Sequence, residues 1–389
     1  MENLSMRSTH ITGKLSSYFN INPTNMEKSI DFFHVLFKYY IWGKFETNLT
    51  YTKMENKQKL QKFKPDPDAK LLDQVKEVLR YHHYAYRTEQ TYCDWILRYL
   101  KFHGGSTHPR QMGKAEIERF LSHLAVQGNV AASTQRQAMN ALIFLYREVL
   151  HIPMEEHLAP IKAKRHRNLP VVMAQAEVQR VLAHMAGAHA LMARLLYGGG
   201  LRLMECIRLR IKDIDFDKNK LFVRAGKGGK DRATLLPQSI GEELRAHLKK
   251  VETLHNQDLA NGYGATFLPH ALARKYRNAA KEIGWQYVFP SKKLSEDPRS
   301  DVIRRHHVLE SGLQKAVKRA VQKAGIHKPV GCHTFRHSFA THLLENGVNI
   351  RIVQELMGHA DVKTTEIYTH VMEKDINSVL SPLDKLTET

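Results

Sequence analysis

Apolar residues recur at helical spacing once the chain has passed its opening segment. Leu71, Leu72, Val75, Val78 and Leu79 form one stripe within Lys70 to Arg80. Trp95, Ile96, Tyr99 and Leu100 form a second within Glu89 to Phe102, which Gly104 and Gly105 end. Ile117, Phe120, Leu121 and Leu124 mark a third helix over Lys114 to Val126. Ala138, Leu142, Leu145 and Tyr146 mark a fourth over Ala132 to Leu150. Such stripes bury one face of each helix against its neighbours. Residues 65–153 therefore read as an all-helical domain, introduced by the turn Pro65-Asp66-Pro67-Asp68.

The pattern then changes. Gln175 to Met185 and Ala188 to Tyr197 read as helices, and Gly198-Gly199-Gly200 permits a tight turn. Lys220 to Arg224 and Ala233 to Leu236 read as short strands joined by Gly226-Lys227-Gly228-Gly229. Leu272 to Ile283 reads as a further helix rich in cations. The expected class is mainly α with a small β-sheet (α+β). The helical domain at 65–153 and a second domain at 169–389 are joined by a basic linker, 154–168. Residues 1–64 stand apart: no alanine precedes Ala69, and Phe, Tyr, Ile, Asn and Lys crowd residues 1–53. That segment reads as a start-site artefact with Met54 as the native start; an extension that packs on the body is the rival.

Charge changes the picture. Lys and Arg number 59 against 39 Asp and Glu, a net +20, which points to a polyanionic partner such as nucleic acid. Cys93, Cys206 and Cys332 are scattered and odd in number, which argues for a reducing compartment and no disulfide framework. No apolar run is long enough to span a membrane, and no signal peptide is legible. A cytoplasmic protein with no membrane association is expected.

The candidate chemistry lies in Arg202, Lys227, His333, Arg336, His359 and Tyr368. Two arginines, a lysine and two histidines around a tyrosine make a cationic pocket with one nucleophile. A phosphoryl centre under attack gathers charge on its non-bridging oxygens, and arginine's planar fork matches them. A tyrosine hydroxyl, with a pKa of about 10, needs a base and a cationic field before it attacks. His333 and Arg336 share a helix face. His333 and His337 also have metal-ligand spacing, but no His-Glu-x-x-His pattern surrounds them. The glycine-rich turn lacks Walker spacing.

From Pro65 to the C-terminus the chain resembles the tyrosine recombinase (phage-integrase) family. Gly-Leu-Arg202-Leu-Met-Glu205 matches its first box, Lys227 its strand-turn lysine, His333-Thr-Phe-Arg336 its second box, and Leu-Met-Gly-His359 with Tyr368 its third. The resemblance implies a four-helix SAM-like core-binding domain, a catalytic domain with an inserted helical segment, no metal or ATP, and a homotetramer on two DNA sites. It implies that Tyr368 forms a 3′-phosphotyrosyl link. Arg202 and Arg336 would hold the phosphate, with a hydrogen bond from His359. Lys227 would be the general acid, with Lys230 as runner-up, and His333 the base or proton shuttle. Glu205 would orient its surroundings. The linker cations Lys164, Arg165 and Arg167 would cross a phosphate backbone. Ile376, Val379, Leu380 and Leu383 of the tail would dock on a neighbour or cap their own domain.

Residues 254–310 exceed what a minimal member needs and resemble the additional domain of integron integrases. This second resemblance implies recombination of gene cassettes between a duplex attI site and an attC site folded from one DNA strand. Trp285 would stack on an extrahelical base, with Pro298, His306 and His307 in neighbouring pockets and Lys275 on the backbone. Plainer readings stand beside it. Trp285 and Tyr287 also fit a core, and His306 and His307 fit surface or metal-ligand positions. A conventional duplex-acting recombinase, a type IB topoisomerase and a non-catalytic DNA-binding protein are the rival functions.

Overall fold

The computed structural model describes residues 63–154, 158–163, 170–224 and 231–369. Lys164, Arg165, Arg167, Lys227, Lys230, the opening segment and the apolar tail positions lie outside the described residues. The chain divides into two compact units, with the division between His166 and Arg167.

The first unit is a helical bundle: α1 (Leu71–Tyr81), α2 (Tyr86–Phe102), α3 (Lys114–Val126) and α4 (Ala132–Phe144). The last runs on as a π-helical turn, Leu145–Val149. The stripes legible in the sequence face one core, with Val75, Val78, Leu79, Ile96, Tyr99, Ile117, Leu121, Leu142 and Leu145 fully buried. Tyr99 and Tyr146 pair their hydroxyls at 2.9 Å inside it. A buried hydroxyl left alone is costly, and this pair removes that cost for both rings. α3 starts at Gly113 because Glu116 reaches back to its amide at 2.8 Å. Residues 158–163 run along the bundle. The buried Gln135 amide donates to the Leu121 and Ile161 carbonyls and accepts from Ala163 N.

The second unit opens with α5 (Gln175–Ala183), α6 (Gly187–Gly198) and the short α7 (Leu203–Ile207). An antiparallel sheet follows: β1 (Ile214–Asp215), β2 (Lys220–Val223) and β3 (Arg232–Leu235), with Leu221 opposite Thr234. Then come α8 (Gly241–Ala260), α9 (His270–Lys275) and the hairpin β4 (Ser295–Glu296) and β5 (Ile303–Arg304). The unit closes with α10 (Glu310–Lys323), α11 (Cys332–Glu345), α12 (Ile350–Met357) and α13 (Lys363–Glu366). Leu191, Leu195, Leu196, Ile207, Leu221, Val288, Val317 and Phe335 join these elements in one core. A smaller cluster of Phe339, Ala340, Leu344, Val353, Met357 and Tyr368 lies beside it, with Tyr197 packed against both.

One expected element is corrected. Leu272 to Ile283 is not a single helix. α9 ends at Lys275, and the chain bends through two single 3-10 turns, Ala279–Lys281 and Ile283–Trp285. The buried Gln286 amide explains the bend, because it donates to the carbonyls of Gly264, Ala280 and Glu282. Tertiary hydrogen bonding here replaces the intrahelical ladder that local sequence favours. No described helix is long and apolar enough to cross a membrane.

Candidate active site

Two glycines shape the ground on which the cationic residues meet. Gly200 adopts φ +59°, and a Cβ there would fall 2.4 Å from the Phe339 ring. A side chain at this position would meet both backbone strain and a packed aromatic. Gly358 ends α12 at φ +61°, the left-handed conformation of a helix C-cap. Both carbonyls serve the site: Gly200 O accepts from Arg336 Nη1, and Gly358 O accepts from Arg202 Nη2 at 3.4 Å.

Arg202 caps α7, and Glu205, one turn on, holds the helix start by accepting from Arg202 N at 2.8 Å. The same carboxylate accepts from Arg202 Nη1 at 2.7 Å and from both Arg232 Nη atoms, at 2.9 and 2.7 Å. Arg336 Nη1 lies 3.8 Å away. Glu205 thus joins α7, β3 and α11. Burial alone would raise its pKa. The Arg232 hydrogen bonds and charge, with those from Arg202, outweigh burial and hold it down at about 2.

Arg336 is buried on α11. It donates to the carbonyls of Gly200 and Met357 and approaches His359 Nε2 at 3.2 Å. Burial, then repulsion from Arg202, pushes its pKa down to about 9, against the pull of Glu205. It stays charged at neutral pH, in a setting that an incoming anion would relieve.

Tyr368 is 2% exposed and its ring is nearly parallel to that of His359. Its hydroxyl meets His337 Nδ1 at 3.0 Å. Burial raises the phenol pKa, while Arg336 and Arg202 pull it down more weakly. Burial, then His333 and Arg336, holds His337 at about 4, so the ring is neutral, and with its proton on Nε2 it accepts from the tyrosine hydroxyl at Nδ1. His333 lies one turn earlier on α11 and is exposed at its start. Partial desolvation, then Arg336 and Arg202, lowers its pKa too. The second unit thus places Arg202, His333, Arg336, His359 and Tyr368 near one another. Sequence reasoning missed the parts of Arg232, of Thr365 (2.9 Å from His359 Nδ1) and of His337. Only His337 gave a signal, directly after Arg336 and one turn from His333.

Residues 254–310 are stitched to the same unit. Ile211 N donates to Gln286 O at 3.1 Å and Val288 N to Leu209 O at 2.8 Å. Arg210 donates to the carbonyls of Trp285 and Phe267, and its guanidinium lies 4.7 Å from the Tyr287 ring centre. Trp285 is half-buried, with Lys212 Nζ 2.7 Å from its ring centre. Tyr276 lies 6.5 Å from Trp285, and Lys275 Nζ lies 5.2 Å from the Tyr276 ring centre. Tyr287 is buried beside His306 and His307, whose rings lie 3.9 Å apart. His306 is exposed. His307 is buried, donates from Nδ1 to Val308 O, and has no partner for Nε2 among the described residues. Burial holds His307 at about 4 and lowers His306 as well. Pro298 is exposed in the turn between β4 and β5. Arg210 and Lys212 are further residues that the sequence reading did not single out.

Residues 171–375 match the phage integrase family, and residues 71–156 match its N-terminal SAM-like domain. An "Integrase/recombinase" of Escherichia coli is 47% identical over 83% of this chain and 95% of its own. Tyrosine recombinase XerA of Thermococcus kodakarensis is 32% identical over 73% of this chain and 84% of its own. In fold, the chain is similar to XerH site-specific recombinase bound to palindromic difH substrate. The TM-score is 0.52 at 19% identity, over 82% of this chain and 85% of that one. With both of its units matched and the cationic residues gathered on Tyr368, the chain belongs to the phage integrase family, as a site-specific tyrosine recombinase that breaks and rejoins DNA.

Proposed function

We propose that this recombinase is of the integron type, exchanging gene cassettes between a duplex attI site and an attC site folded from one strand. The observation that carries the reading is the aromatic and cationic cluster of the additional segment. Trp285 is half-buried beside Lys212 and Tyr276, and Arg210 lies over both its ring and that of Tyr287, next to His306 and His307. Aromatic faces beside cations suit unpaired bases and their phosphates, and stacking contributes about 1–3 kcal/mol per base whatever the sequence. In this reading Trp285 stacks on an extrahelical base. Pro298 and exposed His306 border it, Lys275 meets the backbone, and buried His307 supports the wall.

The chemistry follows from the site. Tyr368 Oη bonds to the scissile phosphorus as the bond to the 5′-oxygen breaks. Arg202 and Arg336 take the non-bridging oxygens, and His359 donates to one of them. The tyrosine proton passes to His337, with His333, one turn away and exposed, as its route to water. Lys227 supplies the proton that the leaving 5′-oxygen needs, with Lys230 as the second lysine of that turn. Lys164, Arg165 and Arg167 cross the backbone between the domains, and the working form is a homotetramer on two sites. The phosphotyrosyl bond conserves the energy for rejoining, so no ATP enters.

The test is covalent trapping on a denaturing gel. The substrates are the attC bottom strand folded as a hairpin, the top strand, and the same site as duplex, with Tyr368→Phe as control. A Tyr368-dependent adduct mainly on the bottom-strand hairpin supports the reading. Equal adduct on duplex moves the protein to the conventional duplex-acting recombinases, which the similarity to XerA favours.

A further inference from the structure

The ring nitrogens of His359 meet side chains of different chemistry. Arg336 Nη2 lies 3.2 Å from Nε2, and Thr365 Oγ1 lies 2.9 Å from Nδ1. A guanidinium only donates, so Nε2 accepts here. The neutral ring then carries its proton on Nδ1 and donates to Thr365. A phosphate oxygen only accepts, so a ring that binds it through Nε2 must donate there. The resting tautomer is therefore the wrong one for the phosphate.

Thr365 can resolve this. It is fully buried, and its hydroxyl can donate or accept. We propose that Thr365 is a positioning residue that lets His359 exchange tautomers when the scissile phosphate replaces Arg336 at Nε2. Nε2 takes one proton from solvent and Nδ1 returns one to solvent, so the ring's proton count is unchanged. The Thr365 hydroxyl then rotates to donate to Nδ1. The ring stays neutral, so no cation is added beside Arg202 and Arg336. Both nitrogens have a partner in each state, which matters because a ring nitrogen partly shielded from water is costly to leave alone. Thr365 also fixes the nucleophile, since Tyr368 N donates to Thr365 O at 3.1 Å. The phosphate ligand and the attacking group are thus referenced to one residue.

The inference rests on the reading of His359 as a phosphate ligand. The experiment uses the full chain, labelled with 15N-histidine on a Tyr368→Phe background, free and bound to uncleaved site DNA. His359→Gln identifies the ring signals. The expected result is Nδ1–H in the free protein and Nε2–H in the complex, with the ring neutral in both. An unchanged tautomer, or a doubly protonated ring in the complex, overturns the proposal. In the Tyr368-containing protein, loss of the buried hydroxyl in Thr365→Val should slow adduct formation about 10- to 100-fold at unchanged DNA affinity, with Thr365→Ser within about threefold of wild type. Thr365→Val cleaving like wild type, or Thr365→Ser failing as the valine does, also overturns it. If His359→Gln cleaves at the wild-type rate, the phosphate-ligand reading fails as well, which separates the two.

Discussion

At the scale of single residues the site is a problem in keeping like charges together. Arg202, Arg232 and Arg336 stay close because one carboxylate, Glu205, sits among them. Glu205→Gln keeps the shape and removes the charge. It should lower the rate of adduct formation on a suicide substrate about 10- to 100-fold, the loss expected when one partner of a buried charged network is neutralised. Retained activity would show that the arginines hold their places without it. His337 and His333 make separable contributions. His337→Asn, which removes the ring touching Tyr368, should slow cleavage by about 100-fold or more, within the range of a lost proton acceptor. His333→Asn should cost less, because that ring is exposed and one turn away. The reverse order in single-turnover assays would return the acceptor role to His333. Of these partnerships the sequence signalled the i, i+3 pairing of Arg202 with Glu205 and the place of His337 directly after Arg336. Arg232 and Thr365 act through neighbours that only the folded chain brings near.

Elements carry a different message. The existence of α1 to α4 could be read from the sequence because their burial follows the 3.6-residue period, although α2 begins three residues before the expected Glu89 and the expected fourth helix gives way to a π-helical turn after Phe144. The bend after α9 could not, since it is dictated by the buried amide of Gln286, a few positions downstream. Short β1, β4 and β5 were likewise invisible, as two residues give no alternation to read. The turn before α7 makes a sharp prediction. Gly200→Ala forces a positive φ on alanine and drives its methyl into Phe339. It should destabilise the catalytic unit by about 2–4 kcal/mol in urea titrations, and Phe339→Leu in the same chain should restore part of the loss. Lys212, from the turn before β1, covers one face of Trp285. Lys212→Met should leave affinity for a plain duplex nearly unchanged. If Trp285 stacks on an extrahelical base as proposed, the substitution should also alter binding of a hairpin with such bases by about threefold or more, in either direction, because base and ammonium would then compete for that face. Equal effects on both DNAs would remove Trp285 from base recognition.

The molecule as a whole stores several histidines in their neutral form. His306, His307, His333 and His337 all have lowered pKa values, with His307 and His337 at about 4. A depressed histidine binds its proton more readily in the unfolded chain, whose value is about 6.5. Stability is therefore complete above about pH 6.5 and falls as pH drops towards about 4, where the folded-state rings also protonate. Glu205 adds a second loss only as pH falls from about 4.5 towards about 2. Thermal scans should show the catalytic unit's transition moving down between about pH 6.5 and 4, and His307→Gln with His337→Asn should flatten that slope. A slope unaffected by both changes would place the acid sensitivity elsewhere. The shared carboxylate has one more consequence, for anyone recombining this protein with its relatives. Arg202, Glu205, Arg232 and Arg336 come from three elements far apart in the chain but form one electrostatic unit. A chimera whose crossover falls between α7 and α11 mixes arginine frameworks from two parents around a single acid, whereas one placed between the two compact units transfers the framework intact.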